Sequence, residues 1–203
     1  MVSSDSSPTL INTMAPITQP IPINEKLKEI KRSFRPYMNG VTAASMREKG
    51  ATYKVNWGVG MADLQRIADE YGKNQALAEA LWHEHVRECK ILATLIMPAA
   101  QMPLALAQEW LSEMPTQELA EWAAFHLFQY VCGIRDIALC STRSANVHER
   151  VCGYHILSRL FLQNAELDKA SEKAFRESVE ASLKDGTMGE KHAAMNCFAR
   201  YER

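Results

Sequence analysis

A chain of 203 residues exceeds what one small core needs and falls short of two typical domains, so a single domain with a tail is expected. Hydrophobic residues at 47% and charged residues at 23% exclude an intrinsically disordered chain and an integral membrane protein. The longest apolar run, 91–106, is broken by Pro98, Gln101 and Pro103, and a net charge of −1 gives no global basic excess for nucleic acid, leaving room only for a local basic stripe.

Residues 1–23 are rich in Ser, Thr and Pro, with Asp5 the sole charged side chain, and read as a flexible leader. They lack the basic start of a secretory signal and the arginines of a mitochondrial presequence, so a cytoplasmic protein is expected. Residues 24–203 read as one helical repeat domain. Asn24 is placed to cap a helix from Glu25 to about Pro36, with Leu27, Ile30, Phe34 and Tyr37 along one stripe. Lys26, Lys28, Lys31, Arg32 and Arg35 alternate there with Glu25 and Glu29, which reads as a charged helix face with supporting Glu-to-Lys pairs. A short helix is predicted from Thr42 to Lys49, and Tyr53–Gly60 is the least helical ordered stretch because of Gly58 and Gly60. Helices then follow over Asp63–Tyr71 (closed by Gly72), Asn74–Trp82, Val86–Met97, Pro103–Glu113, Thr116–Cys132, Asn146–Leu162, Asp168–Lys184 and Gly189 to the end.

The cysteines, Cys89, Cys132, Cys140, Cys152 and Cys197, are odd in number and scattered, which predicts reduced and mostly buried thiols rather than a disulfide framework. His148, Cys152 and His155 fall at i, i+4, i+7, but one helix rarely supplies a complete metal site and tight packing accounts for Cys152, so no metal is expected. Four helices carry a Glu followed by small and apolar residues, at Glu88, Glu121, Glu149 and Glu190. Their separations of 33, 28 and 41 residues lie near the period of helix-pair solenoids, in which neither helix pair buries its apolar face without the next.

Several motifs carry a family resemblance. Tyr53-x-x-Asn56-x-Gly58-Val59, then Leu64-x-Arg66-Ile67-Ala68, Leu77-Ala78-x-x-Leu81-Trp82 and the run from Glu88 to Ala93 resemble the DNA alkylation repair family of HEAT-like helical repeats, the AlkD-like glycosylases. Asn146-x-x-x-Arg150 and Lys191-His192-Ala193 with Arg200-Tyr201 continue the likeness, which spans roughly Glu25 to Tyr201. The resemblance implies an all-α fold, a right-handed superhelix of antiparallel helix pairs, whose concave side holds duplex DNA. It also implies a monomeric enzyme, without cofactor or covalent lysine intermediate, that hydrolyses the glycosidic bond of cationic alkylated purines such as 7-alkylguanine and 3-alkyladenine.

Such a site needs a carboxylate for the sugar cation and tryptophan faces for the cationic base. Trp122 takes the family's first tryptophan position, but His126 stands one turn later where the family has Asp, and Asn196 stands where the last helix carries Trp. The sequence ends at Arg203, before the closing helix that usually follows. Glu118, Trp122 and His126 share a helix face, so Glu118, or alternatively Glu121, is the candidate carboxylate. Arg87 and Lys90, with Arg143, Arg150 and Lys191 at or near other helix starts, are the candidate phosphate ligands. A helical scaffold that binds nucleic acid or a protein without chemistry remains the alternative. Trp57, Trp82 and Trp110 are expected in the core.

Overall fold

A computed structural model describes residues 21–203; the leader predicted over 1–23 lies almost wholly outside the described residues. The first helix, α1 (Ile23–Ser33), starts after Pro22, two residues ahead of the expected cap, so Asn24 lies inside it. A 3-10 turn at Arg35–Tyr37 leads to α2 (Gly40–Glu48), where Asn39 Oδ1 accepts the Thr42 N–H. The extended stretch that follows makes a single parallel bridge, Val55 to Val86. Gly58 sits at φ +71°, and a Cβ there would collide with the Asn39 carbonyl, so the chain requires glycine to press α2 against this stretch.

The remaining helices are α3 (Met61–Tyr71), α4 (Gln75–Trp82), α5 (Arg87–Ile96), α6 (Leu104–Ser112), α7 (Gln117–His126), α8 (Ile134–Ser141), α9 (Val147–Leu162), α10 (Lys169–Asp185) and α11 (Met188–Tyr201). Side-chain oxygens of Asn74, Thr116, Asn146, Asp168 and Thr187 cap α4, α7, α9, α10 and α11, so most boundaries follow local chemistry. One prediction is corrected. The helix expected over Thr116–Cys132 stops at His126, because Leu127 leaves helical geometry (φ −126°, ψ −67°) and a 3-10 turn occupies Phe128–Tyr130. Gly133, at φ +77°, then turns the chain into α8, for which the sequence pattern predicts no helix. Eight residues make too weak a local signal; α8 is held by its packing on α9, whose Gly153 brings it against the Ala138 carbonyl.

Helices α4/α5, α8/α9 and α10/α11 pack as pairs of an α-solenoid, and α6, which leads into α7, packs chiefly on α8 and α9. The solenoid's second helices stack directly, α5 on α7 on α9 on α11, while the first helices meet more sparingly, so the chain curls toward the second row. The four glutamate-marked helices of the sequence are these four. In α7, however, the residue equivalent to Glu88 is Glu118, one turn before the expected Glu121. The core runs unbroken from Ile30 to Cys197. Trp82 and Trp110 lie within it as a parallel stack 4.2 Å apart, joining α4 to α6, and Trp82 Nε1 donates to Glu113 Oε2 at 2.9 Å. No helix among the described residues is long and apolar enough to cross a membrane.

Candidate functional site

The helix starts of the inner row attract attention first, since backbone amides and basic side chains meet there. The structure joins most of these charges to one another. Arg87 is 1% exposed and forks onto Glu118, with Nε to Oε2 at 2.8 Å and Nη2 to Oε1 at 2.5 Å. Its Nη1 donates to the Val59 carbonyl and to Glu88, and Glu88 also accepts the Trp57 and Val59 amides. The same motif recurs two helices on, where Arg150 forks onto the buried Glu190 at 2.8 and 2.7 Å and donates to the Ser144 carbonyl. Lys90 is buried as well: its Nζ donates to the Trp82 carbonyl at 2.7 Å and sits 4.5 Å from the Trp82 ring centroid. Arg87 and Lys90, the expected phosphate ligands, are therefore inside the fold and closed to an external phosphate. The reason is that α5 is buried along its whole length, between its row neighbour and the N-terminal helices. Arg143 is exposed, and Lys191 donates to the Lys184 carbonyl while keeping partial exposure.

The candidate catalytic residues separate in space. Glu118 turns toward a recess with Met46, Lys49, Gln117 and His148, not toward Trp122. Trp122 instead borders a recess of about 250 Å³ between α7 and α9, shared with Glu121, Phe125, His155 and Arg159. The Arg159 guanidinium lies 4.5 Å from the centroid of the Phe125 ring, which is 41% exposed. Arg200 of α11 donates to Ser158 Oγ at 2.6 Å, close enough for its charge to be felt at His155. Burial holds the His155 pKa below its ordinary value; Glu121 opposes the shift, and Arg159 and Arg200 reinforce it. At the helix starts the groove is narrow, because Gln117 of α7 packs on Gly189 of α11 so closely that a Cβ on Gly189 would strike it. Asn196 lies exposed on α11 one helical turn before Arg200.

His126 stacks on the Trp122 ring, 4.9 Å apart and 20° from parallel. Burial, and secondarily the charge of Lys73, lower its pKa, so it sits there as a neutral imidazole. Its Nε2 is buried without a hydrogen-bond partner among the described residues. Lys73 is anchored on the Leu95 carbonyl at 2.7 Å, at the end of α5. The position where a carboxylate is expected thus holds a neutral ring beside a cation. Arg159 carries a sequence signal in the stripe His148, Cys152, His155, Arg159 along one face of α9, whereas Phe125, on α7, carries none. Cys152, in the His148, Cys152, His155 spacing set aside as packing rather than metal binding, is fully buried, which raises its thiol pKa, and no group of three potential metal ligands gathers among the described residues.

Comparison with known proteins agrees with this architecture. No curated protein matches the chain. A solved structure, from a family described as related to the HEAT-like repeat DNA glycosylases with affinity for branched DNA structures, superposes with a TM-score of 0.69 at 18% identity, over 85% of this chain and 74% of its own. At that identity the likeness speaks for the fold. A family model described as DNA alkylation repair enzyme matches residues 30–133, which span the extended stretch, the stacked tryptophans, Trp122 and His126. With half of its length under that model and its helix pairs stacked into an α-solenoid, the chain belongs to the DNA alkylation repair enzyme family.

Proposed function

We propose that this chain binds DNA in the groove floored by α9 and walled by α7 and α11. The observation that carries the reading is the grouping of Trp122, Phe125 and Arg159 around one open recess, with Arg200 beside it. Arg159 is pre-oriented by the Phe125 ring and has no carboxylate partner among the described residues, so its outward N–H groups are available to a phosphate. The two aromatic side chains supply faces for a base. Phosphate binding predicts a steep loss of affinity with salt, and Arg159→Ala lowers duplex affinity and flattens the salt slope by about one unit.

Excision of cationic purines such as 7-alkylguanine and 3-alkyladenine is the finer reading. Here the carboxylate in reach of Trp122 is Glu121, exposed and bonded to Gln117 Nε2 at 2.8 Å; Glu118 is engaged by Arg87. In this reading Trp122 meets the base and Glu121 stabilises the sugar cation as the bond to the leaving purine lengthens. Release of 7-methylguanine from methylated DNA that is lost in Trp122→Ala and Glu121→Gln supports it; absence of release from the unaltered protein removes it. A specific observation favours the second reading, binding without base excision: neutral His126 beside Lys73, and two arginines near the recess, give a site that repels a developing sugar cation. In that case duplex binding persists with no base released.

A further inference from the structure

Of the Glu-to-Lys pairs expected on α1, Lys28 to Glu25 forms, at 2.8 Å, while Lys31 leaves its own helix and crosses to Glu84 in the α4–α5 turn at 2.7 Å. Both members of that crossing line a recess of about 370 Å³ between α1, the extended stretch and the α4–α5 turn. Small-molecule sites run from about 300 to 1,000 Å³, so this one has room for a single small ligand and not for a folded partner. The groove of α7, α9 and α11 is a separate place, with the wholly buried α5 between the two.

Three chemistries meet around the recess. Its wall is apolar, made of Val55, Val86 and the half-buried Trp57, whose ring leans on Phe34 with centroids 5.4 Å apart. Its rim is basic: Lys54, His83 and His85 are exposed and have no carboxylate partner among the described residues. The third component is Glu84, the one carboxylate lining the recess, with Oε1 on Lys31. The backbone fixes these walls in the absence of any ligand. Val55 N–H donates to the His85 carbonyl at 3.2 Å, Arg87 N–H donates to the Val55 carbonyl at 3.0 Å, and Trp57 is held through its N–H by Glu88 and through its carbonyl by the Asn39 N–H.

A bare inorganic anion would meet Glu84 and leave the apolar wall unused, and a hydrocarbon would cover Lys54 and two imidazoles without answering them. We propose that the recess binds a mononucleotide, with its phosphate on Lys54, His83 and His85, a sugar hydroxyl donating to Glu84, and its base against Trp57 and Val55. Val55 and Val86 offer a base edge no side-chain donor or acceptor, so the site reads phosphate and sugar and discriminates little between bases. It operates whether or not the groove holds DNA. A free nucleotide and the 5′-phosphorylated end of a strand present the same chemistry.

The test is isothermal titration calorimetry of the full chain with adenosine monophosphate, adenosine and inorganic phosphate. Adenosine monophosphate binds at least about tenfold more tightly than either fragment, because it alone engages wall and rim together. Lys54→Ala and His85→Gln each weaken it by about three- to tenfold. Both side chains are exposed, so the melting temperature stays unchanged. Absence of adenosine monophosphate binding, or equal affinity for it and for inorganic phosphate, overturns the proposal. So does a loss in Arg159→Ala with none in Lys54→Ala, which would place the nucleotide in the groove. Competition identifies the source. Displacement by a 5′-phosphorylated tetranucleotide but not by its 5′-hydroxyl form supports the site with a strand end as ligand, and displacement by neither supports it with a free nucleotide; equal displacement by both means general phosphodiester binding and overturns it.

Discussion

Two regions of the inner row treat arginine in opposite ways. At the helix starts, Arg87 in a dry gap and Arg150 at the edge of a recess are each captured by a carboxylate of the next inner helix, Glu118 and Glu190. Midway along the same row, Arg159 borders an open recess and rests on an aromatic ring instead. The difference is one of counter-charge. A guanidinium in a dry gap must find an acid within the protein, and one at an open recess is free for an external anion only where no carboxylate reaches it. A basic residue at a helix start is thus no guide to phosphate binding unless the neighbouring helix leaves it without an acid.

That contrast can be broken most forcefully at Arg87. Arg87→Ala leaves Glu88 buried with its charge uncompensated, and a loss of about 3–5 kcal/mol in denaturant unfolding is expected. Arg150→Ala costs less, since Arg150 is 23% exposed and water can reach its site. If the two losses are equal, burial is not what distinguishes them. Next in size is Arg159→Ala, expected to leave the melting temperature within error while weakening duplex binding at low salt by roughly tenfold; destabilisation without an affinity change would class Arg159 with the helix-start arginines. Thr116 marks the boundary between the regions, capping α7 and sharing a 2.6 Å hydrogen bond with Tyr53. Thr116→Val removes both, for about 1 kcal/mol seen as a shift in unfolding midpoint.

The smallest effect is a pH dependence. Burial lowers the pKa of His126, His148 and His155 in the folded chain, so the unfolded state binds protons first as pH falls. Their contribution to stability is complete above the ordinary histidine value, near 6.5, and is lost as pH drops from there through the lowered folded values. Calorimetry in that window should show the melting temperature declining with acidity, and His155→Gln should shallow the decline. A flat profile would mean that these rings take up protons without leaving their places.

Much of the fold was legible in the residues themselves. Apolar stripes and cap residues such as Asn74, Thr116 and Asp168 located most helices, and the motifs from Tyr53 to Ala93 pointed to the family. Trp82 and Trp110 were expected in the core and are buried there. The candidate site was less legible, because residues on one helix face need not share a recess: Glu118 and Trp122 are one turn apart, yet an arginine from the neighbouring helix claims the first and an open recess borders the second.

What the sequence determined by itself was helicity, the position of most caps and the presence of stacked pairs, since these depend on interactions within a few residues. Tertiary structure alone decided where α7 ends, that α8 forms, and which charges meet water. Those outcomes turn on partners some thirty to forty positions away, as Arg87 with Glu118 and Arg150 with Glu190, and on whether the space between two helices is dry or open.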